Sequence, residues 1–372
     1  MSTPLHESPH PLIFVAEAGD NGVPPGPEVA YRIEVMGLHG FQKEGIAQDL
    51  RTGRVWRLAC DEGTYLRGAN MAPAPLAYWI TGVHADITAR IGETTRRDSV
   101  EFDEFSVSVG QGFGVRGSFA KGEALALVHA FTCDVEVVSD HDDATVEAVV
   151  RQALAESAAL DALTGAHEGL FALSTNGRNT PVSGFAQSAA EQVDPFVRHS
   201  RTPAPVEASP AAVPVRHPEG DKAPIVLRDD DDGTVQWRVQ ASGGQDKATG
   251  LITSDVSFSG NVPGWTLYSD PDNQAAPAPL AHLSIGTAFC FHTQLCRYVS
   301  VRGVPVEAPR LAQLSRAAGP SFAPLDTRLF IHGQVSEAEA TSLMSAAART
   351  CYAHQGIAVP VEHHVSISSK RR

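Results

Sequence analysis

A motif that occurs twice constrains the fold of this chain more than any other feature. Residues 71–77 read Met-Ala-Pro-Ala-Pro-Leu-Ala, and residues 275–281 read Ala-Ala-Pro-Ala-Pro-Leu-Ala. Gly82 and Gly286 follow at matching distances behind the two motifs. Because self-similarity at one long spacing is the mark of repeated structural units, we expect two copies of one folding unit in this chain.

Each copy is predicted to contain a long helix and a later, shorter one. Proline suits the first turn of a helix, so the long helices are expected to begin at Pro75 and Pro279. A capping-box sequence with Ser336 and Glu339 predicts the start of the later helix of copy two. In copy one, Asp143 is predicted to cap a run that reaches about Ala159.

β-Patterned runs stand before and between these helices. They include Tyr31–Ile33 and the matching Trp237–Val239, and also residues 251–257, 135–138 and 328–332. The order is strands, a long helix, strands, a helix and a strand, so helices and strands are segregated. The sequence therefore predicts the α+β class, with antiparallel sheets around each long central helix.

Composition divides the chain into four parts. Residues 1–27 are expected to be irregular, and residues 198–226 form a linker rich in proline and alanine. The two repeated units then cover 28–197 and 227–372. Only the second unit holds a plausible pair of reactive cysteines.

Charge and cysteine content limit the partners and the compartment. The formal net charge of −14 argues against nucleic acid and anionic membrane surfaces as partners. Neither a signal-peptide pattern nor an apolar run long enough for a bilayer is visible, so a cytoplasmic location is expected. Five cysteines are few and odd in number, which favours buried, metal-bound or catalytic thiols over a disulfide framework.

Cys290 and Cys351 are the candidate reactive residues. Cys290 lies within the long helix of copy two, with Gly286 one turn before it and Arg297 two turns after it on nearly the same face. Cys351 lies at the end of the later helix. Two such thiols can act as attacking and resolving partners, or they can be inert core residues, and the residues alone leave both interpretations open.

The segments 278–290 and 346–351 together resemble the OsmC family, which includes the organic hydroperoxide resistance proteins. The resemblance implies an intertwined dimeric α+β fold, here formed by one chain as a pseudo-dimer. It also implies that Cys290 attacks a peroxide, that Cys351 resolves the product and that an external dithiol restores both thiols. No cofactor is implied.

Two departures from the family pattern concern the activation of the thiol. Gln245 stands where those peroxidases carry an arginine, and Leu280 stands where they carry a glutamate. Because a nearby arginine favours the thiolate, another residue must replace the missing one. The candidates are Arg297 and, across the pseudo-dimer interface, Arg67, which we favour. Gln245, Leu280 and Asp86 are expected to line the pocket.

Copy one has lost the thiol pair. Asp86 takes the position of Cys290, and about Ala158 takes that of Cys351, so one active site per chain is expected. Cys133 lies in a strand-like stretch and is expected in the core. His292 and Cys296 have helical spacing for a metal pair, but no further ligands support it and no metal is predicted.

Three functions remain as expectations. The simplest is the reduction of organic hydroperoxides by Cys290 with Cys351. In the second, Cys290 is a covalent nucleophile in a hydrolase or a C–S bond-cleaving enzyme. In the third, the protein binds a small molecule without catalysis and keeps a relic site.

Overall fold

The computed structural model describes residues 4–17, 29–189, 193–195, 205–207, 209–217, 228–229, 235–259 and 264–371. Its helices are α1 (Pro75–Asp98), α2 (Asp143–Ala155), α3 (Ala158–Thr164), α4 (Pro279–Arg302), α5 (Glu337–Thr350) and α6 (Tyr352–Ala358). Short 3-10 turns lie at Leu5–Glu7, Thr64–Leu66 and Pro210–Ala212. None of the helices in the described ranges is long and apolar enough to cross a membrane.

The strands of the first half and of the middle are β1 (Ile13–Ala16), β2 (Val29–Gly37), β3 (Lys43–Asp49), β4 (Val55–Cys60), β5 (Glu104–Arg116), β6 (Leu125–Val138), β7 (Leu170–Thr175), β8 (Arg178–Thr180), β9 (Ala186–Gln187), β10 (Pro205–Glu207) and β11 (Val215–Arg216). Those that follow are β12 (Arg228–Asp229), β13 (Val235–Gln245), β14 (Ile252–Phe258), β15 (Trp265–Ser269), β16 (Val306–Ala318), β17 (Ser321–Phe322), β18 (Asp326–Gly333) and β19 (His363–Lys370).

These strands form two sheets. One has the order β10-β1-β4-β3-β2-β16-β18-β7-β8, and the other has the order β11-β15-β14-β13-β5-β6-β19. Most neighbours are antiparallel, whereas β18 with β7 and β19 with β6 are parallel. The architecture is mixed, with open sheets and segregated helices, as expected for the α+β class.

Each sheet combines strands from both halves of the chain. Strand β2 of the first half pairs with β16 of the second, with Ile33 opposite Gln313. Strand β13 of the second half pairs with β5 of the first, with Gln240 opposite Gly110. Neither half therefore completes its own sheets, because the central ladder of each sheet joins one half to the other.

The two long helices cross at matching glycines between the sheets. A Cβ atom on Gly82 would overlap the backbone of Leu283 in α4, and one on Gly286 would overlap the backbone of Trp79 in α1. Glycine is required at both positions because the two helix backbones come too close together for a side chain.

The predicted helix starts agree with the structure except at one cap. Pro75 and Pro279 occupy first-turn positions, and Ser336 with Glu339 forms the capping box. Asp143 as the cap of α2 is wrong by one residue. The cap is Asp142, whose carboxylate accepts the N–H of Thr145 at 2.8 Å.

Two predicted irregular segments contain strands. Ile13–Ala16 lies in the expected irregular N-terminus, yet it is buried and pairs with β4. Within the predicted linker, Pro205–Glu207 pairs with β1 and Val215–Arg216 with β15. These stretches form strands because their backbones pair with the edge of an existing sheet. Residues 198–204, 208 and 218–226 of the predicted linker lie outside the described ranges.

Candidate functional site

Cys290 and Cys351 meet in the core of the second half. Cys290 lies in the middle of α4 with 3% of its surface exposed, and Cys351 is fully buried at the break between α5 and α6. The Cys351 Sγ caps α6 by accepting the backbone N–H of His354 at 3.5 Å. Because Cys351 lies at the break between the two helices, its side chain points toward α4.

The two thiols are free, and they lie close enough for Cys290 to influence the pKa of Cys351. The Cys351 Sγ also lies 3.9 Å from the carbonyl oxygen of Thr287, one turn before Cys290. Burial raises the pKa of the Cys351 thiol well above its usual value, and the neighbouring Cys290 raises it further. Cys351 is therefore a neutral thiol at neutral pH.

His354 is a site residue that the sequence reasoning missed. Its Nδ1 lies 3.5 Å from the Cys351 Sγ, and its Nε2 lies 3.5 Å from the Thr327 Oγ1. Its ring packs against Phe171 and Phe291, with centroid separations of 5.5 and 5.2 Å. Burial lowers the pKa of His354 to about 3, so the imidazole is neutral at neutral pH. The Cys-x-x-His spacing across a helix start was the available signal.

A buried polar chain continues behind His354. The Thr327 hydroxyl donates to the Gln313 Oε1 at 3.3 Å, and the Gln313 Nε2 donates to the Ser284 carbonyl at 3.0 Å. Thr327 and Gln313 are direct partners across β18 and β16. Both side chains are fully buried, so the chain is shielded from water.

Arg297 lies near the thiols but is not bound to Cys290. Its guanidinium stacks on Phe119 at 3.9 Å and donates to the Gln294 Oε1 at 2.9 Å. Burial raises the pKa of Tyr352, the Arg297 charge lowers it, and a charge on Cys290 raises it. Tyr352 therefore stands near both Arg297 and Cys290.

The structure does not bring the other predicted site residues to Cys290. Arg67 is exposed, with a left-handed φ of 64° after a 3-10 turn. Leu280 packs partly buried against the core near the start of α4. Ten residues of helix place it about 15 Å from Cys290 along the axis.

Gln245 belongs to the opposite side of the molecule. Its side chain lies against Gly92 of α1 and donates to the Gly250 carbonyl at 3.0 Å. The reason is the exchange of strands, because β13 pairs with β5 and its hairpin covers α1 rather than α4. Gln245 is thus a neighbour of the copy-one helix.

Copy one keeps the geometry of the site with different chemistry. The Asp86 Oδ2 accepts the Ser157 hydroxyl at 2.7 Å and the N–H of Ala159 at 3.0 Å. Ser157 caps α3 as Cys351 caps α6, so Ser157, and not Ala158, matches Cys351. Burial raises the pKa of Asp86. The pair in copy one is a carboxyl and a hydroxyl, neither of which can form a disulfide.

A second buried polar cluster joins the first-half strands to α4. The Lys43 Nζ lies 3.7 Å from the Glu62 Oε1 and 3.8 Å from the Cys60 Sγ. The Cys296 Sγ lies 3.6 Å from the His292 Nδ1, and the His292 Nε2 hydrogen-bonds the Pro309 carbonyl at 2.8 Å. No group of three or more potential metal ligands occurs within the described ranges. Cys133 is fully buried in β6, as predicted.

Comparisons with protein-family models, with curated proteins and with solved structures find no match to this chain.

Proposed function

We propose that this protein is a two-thiol enzyme, most simply a reductase of organic hydroperoxides. The observation that carries the proposal is that the Cys351 Sγ lies 3.9 Å from the Thr287 carbonyl oxygen, one turn before Cys290 on α4, although the two cysteines belong to different helices and are far apart in sequence. Two free thiols that lie close together can be converted into one disulfide without moving the backbone far. That conversion is the chemical step that such an enzyme needs.

The proposed reaction balances in three steps. The Cys290 thiolate attacks the outer peroxide oxygen, the O–O bond breaks, and the products are a sulfenic acid and an alkoxide that takes a proton. The Cys351 sulfur then attacks the Cys290 sulfur, and the hydroxyl group leaves as water. An external dithiol reduces the disulfide and is itself oxidised. No cofactor takes part.

The position of His354 favours this reaction over the hydrolase alternative. A cysteine nucleophile that attacks carbon is commonly activated by a base next to it. The imidazole of His354 faces Cys351 rather than Cys290. A base beside the second thiol suits a resolving cysteine.

We also propose that the fold is a pair of OsmC-like units. The comparisons lend this no support. It rests on the repeated helix starts, on the sheets that combine strands of both halves and on the two cysteines that α4 and α5 bring together. The proposed cytoplasmic location and small-molecule substrate rest on the sequence alone.

The test is mass spectrometry of the reduced protein after one equivalent of cumene hydroperoxide. The expected product is a disulfide between Cys290 and Cys351, formed together with cumyl alcohol. In Cys290→Ser, the peroxide should remain unreduced. In Cys351→Ser, a sulfenic acid on Cys290 should accumulate and react with dimedone.

Asp86→Asn is the matched control because Asp86 occupies the equivalent position in copy one. It should retain most of the activity. The proposal fails if Cys290 remains a free thiol under excess peroxide while the protein is folded. Slow labelling of Cys290 by iodoacetamide at neutral pH would then favour the interpretation as a binding protein with a relic site.

A further inference from the structure

The hydrogen-bond chain behind Cys351 fixes the tautomer of His354. The Ser284 carbonyl oxygen can only accept a hydrogen bond. The Gln313 atom 3.0 Å from it must therefore be the amide nitrogen. The Gln313 oxygen then faces Thr327, whose hydroxyl proton points to it at 3.3 Å. With its one proton committed, the Thr327 oxygen can only accept from its next neighbour.

That neighbour is His354. The His354 Nε2 lies 3.5 Å from the Thr327 oxygen, so Nε2 must carry the ring proton. A neutral imidazole has one protonated nitrogen, and its Nδ1 therefore holds a lone pair. The Nδ1 lies 3.5 Å from the Cys351 Sγ, which carries the proton of a neutral thiol.

We propose that His354 is the general base for the resolving thiol, held in the Nε2–H tautomer by Thr327 and Gln313. The inference rests on the proposed two-thiol function, and it assigns a residue to its second step. As the Cys351 sulfur attacks the Cys290 sulfenic acid, the Cys351 proton moves to the His354 Nδ1. The departing hydroxide takes this proton from His354 and leaves as water, so that the imidazole is neutral again.

The surroundings of His354 support a brief role in the proton transfer. Burial lowers its pKa to about 3, and the ring is packed between Phe171 and Phe291. Such an imidazole is neutral at neutral pH and its Nδ1 lone pair is free, but its low pKa opposes a stable imidazolium, so it can take the thiol proton only while passing it on. It also releases the proton readily to a stronger base such as hydroxide.

The tautomer can be tested without any activity. Long-range ¹H–¹⁵N NMR of the reduced protein distinguishes a protonated from an unprotonated ring nitrogen. We expect Nε2–H and a bare Nδ1 in the wild type, and a mixture of tautomers in Thr327→Val, which removes the acceptor. A wild-type ring protonated at Nδ1 would overturn the inference.

The kinetic test separates the two thiol steps by rapid quenching after cumene hydroperoxide. His354→Phe keeps an aromatic ring between Phe171 and Phe291 but removes both nitrogens. It should leave the oxidation of Cys290 unchanged and slow disulfide formation about a hundredfold. His354→Asn keeps a hydrogen-bonding group near the Nδ1 position but has no basic nitrogen, so it should slow disulfide formation to a similar extent.

Outcomes for the two proposals can be told apart. Slow disulfide formation in His354→Asn with a wild-type rate in His354→Phe would show that His354 acts only through packing, and wild-type rates in both variants would show that it has no role. Either result overturns the inference and leaves the two-thiol function intact. If the peroxide never oxidises Cys290, the proposed function fails. The NMR result still decides whether the His354 Nδ1 is unprotonated and able to accept a proton.

Discussion

Asp86 and Cys290 occupy matching places on the two long helices, and each lies near the residue that caps the following short helix. Asp86 accepts a hydrogen bond from Ser157, and the Cys351 Sγ lies beside the turn of α4 that precedes Cys290. One geometry thus holds a carboxyl with a hydroxyl in copy one and two thiols in copy two. Only the thiol pair can be oxidised to a covalent disulfide. The chemistry of the molecule is therefore asymmetric although its framework repeats.

Asp86→Asn should stabilise the protein increasingly as the pH rises. Burial raises the pKa of Asp86, so the folded state keeps a proton where the unfolded state has lost it. Wild-type stability therefore falls as the pH rises from the ordinary carboxyl pKa through the raised folded value. Asparagine can accept the same hydrogen bonds from Ser157 and Ala159 without a charge. Urea unfolding at several pH values between about 4 and 8 measures the difference.

The exposed Asp140 provides the control for this effect. Asp140→Asn should change the stability by less than about 0.5 kcal/mol at every pH. A constant difference between Asp86→Asn and the wild type across the pH series would contradict the assignment of a protonated Asp86.

Arg297 should be the arginine that promotes the reactivity of Cys290. The charge of Arg297 acts on Tyr352, which also senses Cys290, whereas Arg67 is exposed to solvent. Arg297→Met should slow the alkylation of Cys290 by iodoacetamide at neutral pH by roughly tenfold, which corresponds to about 1.4 kcal/mol. Arg67→Met should leave the rate unchanged. The reverse result would restore Arg67 as the donor across the interface.

At the level of elements, the sequence predicted what depends on local chemistry. The helix starts at Pro75 and Pro279, the capping box at Ser336 and the end of a helix at Cys351 follow from a few adjacent residues. These signals also brought Cys290 and Cys351 forward as a pair. These signals can be recognised in the sequence because proline, serine and glutamate act on the backbone within one helical turn.

What the sequence could not predict depends on long-range pairing. Gln245 was expected beside Cys290, but the ladder between β13 and β5 carries it to α1. His354 was overlooked because its role arises from packing against Thr327 on a distant strand. The cap of α2 was misplaced because Asp142 and Asp143 are adjacent and equally suited to capping. Residue spacing alone contains none of this information.

Gly286→Ala should destabilise the crossing of α1 and α4. Alanine is the better helix former by about 1 kcal/mol, so an unhindered site would gain stability. Here the added methyl group would overlap the backbone at Trp79, and overpacking of this kind costs about 1–3 kcal/mol. We expect a net loss in urea unfolding, and a similar loss for Gly82→Ala against Leu283.

A control on the same helix is Ser300→Ala, since Ser300 is exposed. It should change the free energy of unfolding by less than about 0.5 kcal/mol. If Gly286→Ala were more stable than the wild type, the close approach of the two helices would be wrong.

For the whole molecule, the exchange of strands makes the two halves interdependent. In residues 225–372 alone, β16 lacks β2 and β13 lacks β5, so two long strands would have unpaired edges. Unpaired, largely buried strands attract other chains. The same separation removes α1 from the buried face of α4, where Gly286 now contacts Trp79.

Residues 225–372 expressed alone should therefore aggregate or form a homodimer. In such a dimer β13 of one chain would pair with β16 of the other, as β2 does in the intact protein, and each chain would supply one Cys290–Cys351 pair. Size-exclusion chromatography with light scattering distinguishes these states from a monomer. Co-expression with residues 1–197 should instead yield a one-to-one complex, because β2 and β5 then fill both edges. A fragment that is monomeric, soluble and unfolds cooperatively would show that the second half completes its own sheets, and the interdependence of the two halves would be refuted.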